Sequence, residues 1–166
     1  AVMTGFSYSK CGTAIEWLCD AFGCETKMVI AGDTPDEVAH AQLTVGAGMI
    51  MLGSSRADDK KTNFQKQIRH PRDSAGSTHA VYMVVNDVDA HYERAKNAGA
   101  EIISKPTEMH YGGKNYSCKD VEGFVWSFGD SDPWVPWIPP SSYNGPPVAS
   151  ETKTETETTT TTTTVD

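Results

Sequence analysis

The feature that most constrains this chain is an internal repeat. A helix-like segment over residues 14–22 ends at Gly23, and a second over 88–98 ends at Gly99, 76 positions later. The same separation carries Thr44 to Asp120, Leu52 to Phe128 and Gly53 to Gly129, with no gap. Glycine just past the last periodic residue suits a helix C-terminus. Thr13 to Glu16 has the spacing of a capping box, and Asp87 is a good N-cap for the second helix. Strand-like runs flank both helices. They cover 5–9, 26–30, 38–45 and 49–52 in the first half and 80–85, 101–104, 114–119 and 124–128 in the second. Each half therefore reads βαβββ. Because side-chain identity between the halves is slight, it is the spacing of elements that argues for duplication.

This predicts an α+β domain over residues 1–132, with modules at about 1–54 and 78–130. The linker, 55–77, carries Arg56, Lys60, Lys61, Lys66, Arg69, His70 and Arg72, and reads either as a solvated face or as an anion or partner contact. Past Pro133 the composition shifts to Trp and Pro, and then to a Thr and Glu tract with seven consecutive threonines. Such a tail buries too little apolar surface to offset its ordering entropy, so disorder is expected from about residue 141. Trp134 and Trp137 are its apolar exceptions, and either dock on the domain or meet a protein partner.

Composition excludes several function classes. No stretch approaches the roughly 20 apolar residues of a membrane helix, and residues 1–10 lack a signal-peptide pattern. A net charge of -8 argues against nucleic acid as a partner. Cys11, Cys19, Cys24 and Cys118 form no C-x-x-C pair, so reduced thiols in a soluble, intracellular setting are expected.

Two βαβββ modules, together with VAHAQLTVGAGMIMLG (38–53), VVNDVDAHYERAKNAGAEI (84–102) and YGGKNYSCKDVEGFVWSFG (111–129), resemble the vicinal oxygen chelate superfamily, in particular its glyoxalase/bleomycin-resistance-like branch. The resemblance implies two half-barrel sheets facing a shared cavity, paired within one chain or swapped between two, and by analogy a homodimer. If residues 120–123 form a tight hairpin turn, strand parity turns Tyr116, Cys118, Val125 and Ser127 into that cavity and leaves Phe124, Trp126 and Phe128 for the helices. Shifted back by 76, the same argument turns His40, Gln42, Met49 and Met51 inward, with Ala39, Ala41, Leu43, Ile50 and Leu52 on the helices. These eight inward residues are the expected ligand-binding set.

In metal-dependent relatives the first and last strands of each module supply the ligands. Those positions fall here at Met3, Met51, Ala80 and Ser127, or at His79 in place of Ala80 if the strand shifts by one. Three or four N, O or S donors are needed, so no metal and no cofactor is expected. A rearranged site of His40, Gln42 and His79 is the alternative. A Cys118 thiolate with His40 as base is a further idea, and no catalytic residue is assigned. An expected cavity of thioether, aromatic and amide groups with few charges and no ligand set points to a metal-free protein that sequesters or carries a small, partly apolar molecule. Its competitors are a glyoxalase-type lyase or isomerase, using a rearranged metal site or His40 as acid or base, and a structural subunit of a larger assembly.

Overall fold

The computed structural model describes residues 2–145. In chain order the elements are β1 (Thr4–Tyr8), α1 (Cys11–Phe22), β2 (Glu25–Ala31), β3 (Val38–Val45) and β4 (Gly48–Ser54), then three short 3-10 turns within 58–73. After them come β5 (Ala80–Val84), α2 (Val88–Asn97), β6 (Glu101–Glu108), β7 (Lys114–Lys119) and β8 (Val125–Gly129). The sheets run β1-β4-β3-β2 and β5-β8-β7-β6, with β1 parallel to β4 and β5 parallel to β8. The 76-residue repeat holds throughout: β1 and β5 coincide end to end after the shift.

Both helices stop where glycine takes a left-handed backbone, at Gly23 (φ 73°) and Gly99 (φ 91°). Behind Gly99, the Ala100 N–H reaches the Ala95 carbonyl at 3.0 Å and the Gly99 N–H reaches Lys96 at 3.1 Å. Asp87 caps α2 through the Ala90 N–H at 2.9 Å. The expected capping box at Thr13 is not the start of α1. The helix opens three residues before the expected segment, after Lys10, whose side chain makes no cap. The N-terminus is met instead by the Glu122 carboxylate of the other module, which accepts from the Ser9 and Lys10 N–H groups at 2.7 Å each. An anion suits that end of a helix.

The helix-facing sides of both sheets merge into one core. Trp126 is fully buried, stacked on Phe6 at 4.9 Å between ring centroids and tilted against Phe22 at 5.2 Å. Phe6 belongs to β1, Phe22 to α1 and Trp126 to β8, so the modules share apolar burial as well as topology. The opposite faces of the two sheets turn away from this core. All four cysteines are free thiols. Burial pushes Cys11, Cys24 and Cys118 up to about 12, which keeps them protonated and inert at neutral pH.

The chain expected to be disordered from 141 is in place as far as 145, because the Tyr143 ring packs edge-on against Trp137 at 4.9 Å. Trp137 also donates to the Tyr111 carbonyl at 2.7 Å, so it docks on the loop between β6 and β7, while Trp134 is 93% exposed. The Thr and Glu tract lies outside the described residues. Among the described residues no helix is long and apolar enough to cross a membrane.

Candidate functional site

A cavity of about 590 Å³ lies over the outer face of the first sheet, roofed by the linker. Its floor comes from β1, β3 and β4, with Ser7, His40 and Met51 turned outward. Phe64, Ile68, Arg56, Lys61 and Arg72 close it from the linker side. Every lining residue lies between positions 3 and 73. This cavity is bounded by one module and the linker and not by two modules, which within the chain join through their helix-facing sides.

Pairing register decides which side chains share that face. Gln42 pairs with Met51 and Thr44 with Met49, around a two-residue loop with Gly46 at φ 53°. Expectation had Gln42 opposite Met49, a slip of two positions. A slip of two preserves parity, so His40, Gln42, Met49 and Met51 do share the outer face. Met28 and Ile30 join it, opposite Gln42 and His40 on β2. Of the four expected residues, His40 and Met51 line the cavity, and Gln42 and Met49 continue the face beyond it. Ala39 lines the cavity instead of packing on the helices, because a bulge in the β2–β3 pairing interrupts the alternation there.

The second module is different. Tyr116 pairs with Phe128 and Cys118 with Trp126, one residue away from expectation. One residue turns every side chain over, so Tyr116 and Cys118 lie fully buried on the helix side and do not face a cavity. Tyr116 donates to His91 Nδ1 at 2.7 Å in that core. A Cys118 thiolate paired with His40 is excluded by the same burial. Val125 and Ser127 do face outward, with Ser127 bonded to Ser117 at 2.8 Å, but on the second sheet and apart from the cavity.

The cause of the slip is Asp120. Its Oδ1 accepts from the N–H groups of Glu122 (2.9 Å) and Phe124 (3.0 Å), which stretches the turn so that strand pairing resumes at Lys119 and Val125. Its Oδ2 accepts from the Tyr8 hydroxyl at 2.6 Å and from Trp126 Nε1 at 3.0 Å. Burial raises the Asp120 carboxyl against the pull of these four donors, and burial also raises the Tyr8 hydroxyl well above its ordinary value.

Beside it, Glu122 accepts from His70 Nε2 at 2.7 Å while His70 Nδ1 accepts from the Arg72 N–H at 3.1 Å. Nδ1 therefore carries no proton, and the imidazole is the neutral tautomer with its hydrogen on Nε2. With both ring nitrogens engaged, His70 is an anchor for the linker. Burial pushes the Glu122 carboxyl up, but the Ser9 and Lys10 N–H groups together with His70 outweigh it and leave the pKa lowered. No local sequence signal marks this contact, since its partners are 52 and more than 110 residues apart.

The residues at the metal positions of the resemblance do not fit a divalent ion. They are two thioethers, a methyl and a hydroxyl, and Ala80 pairs with Val125 while Ser127 pairs with Tyr82. His79 does not replace Ala80, because its ring lies 5.5 Å from Phe6, on the core side of β1. It does not line the cavity with His40. Among the described residues, no three His, Cys, Asp or Glu side chains converge to hold a metal. His40 Nε2 lies 3.4 Å from the Gln42 amide nitrogen.

A family model described as the Glyoxalase/Bleomycin resistance protein/Dioxygenase superfamily matches residues 4–128. Uncharacterized proteins of Mycobacterium bovis and Mycobacterium tuberculosis are each 28% identical over 118 residues, covering 70% of this chain and 74% and 66% of theirs. Among solved structures, TioX from Micromonospora sp. ML1 superposes with a TM-score of 0.58 at 23% identity, over 78% of this chain and 94% of its own. A glyoxalase/bleomycin resistance protein/dioxygenase family enzyme from Burkholderia phytofirmans PsJN gives 0.58 at 17% identity, over 76% and 94%. At such identities these structures bear on fold alone.

Proposed function

Because the chain belongs to the glyoxalase/bleomycin resistance protein/dioxygenase superfamily, we propose that it is a metal-free binder of a small, partly apolar molecule, held in the cavity under the linker for sequestration or carriage. The observation that carries this reading is the cavity itself. Its volume suits a small molecule, the thioethers of Met3 and Met51 and the rings of Phe6 and Phe64 share the lining with hydroxyl, amide and charged side chains, and among the described residues no three His, Cys, Asp or Glu side chains converge to hold a metal. Val125 and Ser127 fall outside this site within one chain.

A homodimer belongs to the same proposal. Both outer sheet faces carry exposed apolar side chains, Met28 and Ile30 on the first and Tyr82 and Val84 on the second, and a second copy would cover them. Sedimentation should then give twice the chain mass.

Metal analysis and thermal melting test the function. The dialysed protein should carry no stoichiometric divalent ion, and chelators should leave its Tm unchanged, whereas a tight ion would add several kcal/mol through mass action, roughly 4 kcal/mol at a thousandfold excess over Kd. One retained equivalent of zinc, nickel, iron or manganese would overturn the reading. It would favour instead a glyoxalase-type lyase or isomerase, for which His40 beside Gln42 is the acid or base in the cavity.

A further inference from the structure

The basic linker residues are not used by the reading above. Three of their side chains reach the cavity: Arg56, Lys61 and Arg72. Arg56 faces Glu37 at 3.5 Å and Lys61 faces Asp58 at 2.6 Å, so each already has a counter-ion. Arg72 differs. Among the described residues it has no carboxylate partner, and its guanidinium donates only to neutral acceptors, His70 Nδ1 from Nε at 3.3 Å and the Ser9 hydroxyl from Nη2. Of the five N–H bonds of a guanidinium, three have no acceptor among the described residues, and the side chain is exposed, so they are open to solvent or a ligand.

We propose that Arg72 makes the cavity selective for an anion, so that the bound molecule has an apolar body and one carboxylate, sulfonate or phosphate-type group. The inference rests on the cavity-binding reading and narrows it to a ligand class. A guanidinium whose remaining donors form a planar fork matches such groups in two-point contact, which a neutral alcohol or amine does not. Asp73 is the one carboxylate in the lining, against three cations, in a protein whose net charge is -8. With Arg56 and Lys61 held by Glu37 and Asp58, Arg72 is the cation of the lining that has no carboxylate partner among the described residues.

The arginine is also positioned. His70 is 8% exposed and accepts from both the backbone and the side chain of Arg72 through the same nitrogen. Glu122 of the second module accepts the hydrogen on the other nitrogen and so holds the tautomer that permits this. The turn after β7 thereby sets the direction of a side chain that serves a cavity on the other module.

A matched pair of fluorescent probes tests the proposal: 8-anilino-1-naphthalenesulfonate and its uncharged parent N-phenyl-1-naphthylamine, titrated into the full chain. A charge-assisted contact makes the sulfonate bind about tenfold to a hundredfold more tightly than the neutral probe. Arg72→Gln should bring the ratio of the two affinities close to one, and Arg72→Lys should restore only part of it. Met51→Trp should exclude both probes. Equal affinities in the unaltered protein, or a preference that survives Arg72→Gln, overturn the anion assignment and leave cavity binding standing. Absence of binding by either probe, or binding unaffected by Met51→Trp, overturns the cavity reading and this inference with it. The ratio in the unaltered protein is informative even if a variant fails to fold.

Discussion

Asp120→Ala is expected to be among the most damaging single substitutions of a polar group in this protein. The carboxylate is 6% exposed and accepts four hydrogen bonds, two from its own turn and two from side chains of different modules, Tyr8 and Trp126. Alanine strands all four donors. A buried donor left without a partner costs about 1 to 3 kcal/mol. The Tyr8 hydroxyl can rotate and the Glu122 N–H is near enough to the surface to find water, so a total of about 4 kcal/mol is expected. Against a typical domain stability of about 5 to 15 kcal/mol, that is a large share. Asp120→Asn keeps the shape and one acceptor oxygen for the two backbone N–H groups but presents its NH₂ to the Trp126 indole N–H. About 2 kcal/mol is expected there. Urea unfolding followed by tryptophan fluorescence gives both numbers, provided the slope with denaturant is unchanged.

The pairwise part is isolated by a double-mutant cycle. Tyr8→Phe removes the 2.6 Å bond alone, at an expected cost of about 2 kcal/mol in the parent and under 1 kcal/mol in the Asp120→Asn background. The reasoning fails if Asp120→Ala costs less than about 1 kcal/mol or if Tyr8→Phe costs the same in both backgrounds.

Trp126→Ala should cost about 3 to 5 kcal/mol by urea unfolding, because the ring is fully buried between Phe6 and Phe22. Gly99→Ala should cost about 1 kcal/mol: the added Cβ meets open space, so the whole penalty comes from φ of 91°, and stabilisation would contradict the helix boundary. Glu122→Gln should flatten the acid limb of the stability profile. The Glu122 pKa is lowered in the folded chain, so its contribution is present above the unfolded value near 4.3 and is lost as pH falls through the folded one. The variant should be less stable than its parent at neutral pH and should approach it as the pH falls through the folded pKa, and parallel melting curves across the acid range would contradict the assignment.

The repeat was legible because it rests on spacing, which turns and helix ends preserve even where side chains diverge. Gly23 and Gly99 mark positions that only a residue free of Cβ occupies cheaply, and they recur at the right interval. Faces of strands are a harder matter, because parity depends on the length of each turn to a single residue. In the first module the observed turn differs from the expected one by an even number of positions, so His40, Gln42, Met49 and Met51 keep one outer face. In the second the Asp120 side chain replaces a backbone partner inside the turn, the count becomes odd, and Tyr116 and Cys118 pass from the supposed cavity into the core. The roof of the actual cavity was not legible at all. A coil with no hydrophobic period carries no record of where it folds back, and residues 55–77 are held by His70 and Glu122, a contact between residues 52 positions apart. That contact also explains why the basic linker reads as a solvated face in sequence: four of its seven basic or histidine residues line the cavity, and only the placement of the anchor turns them inward.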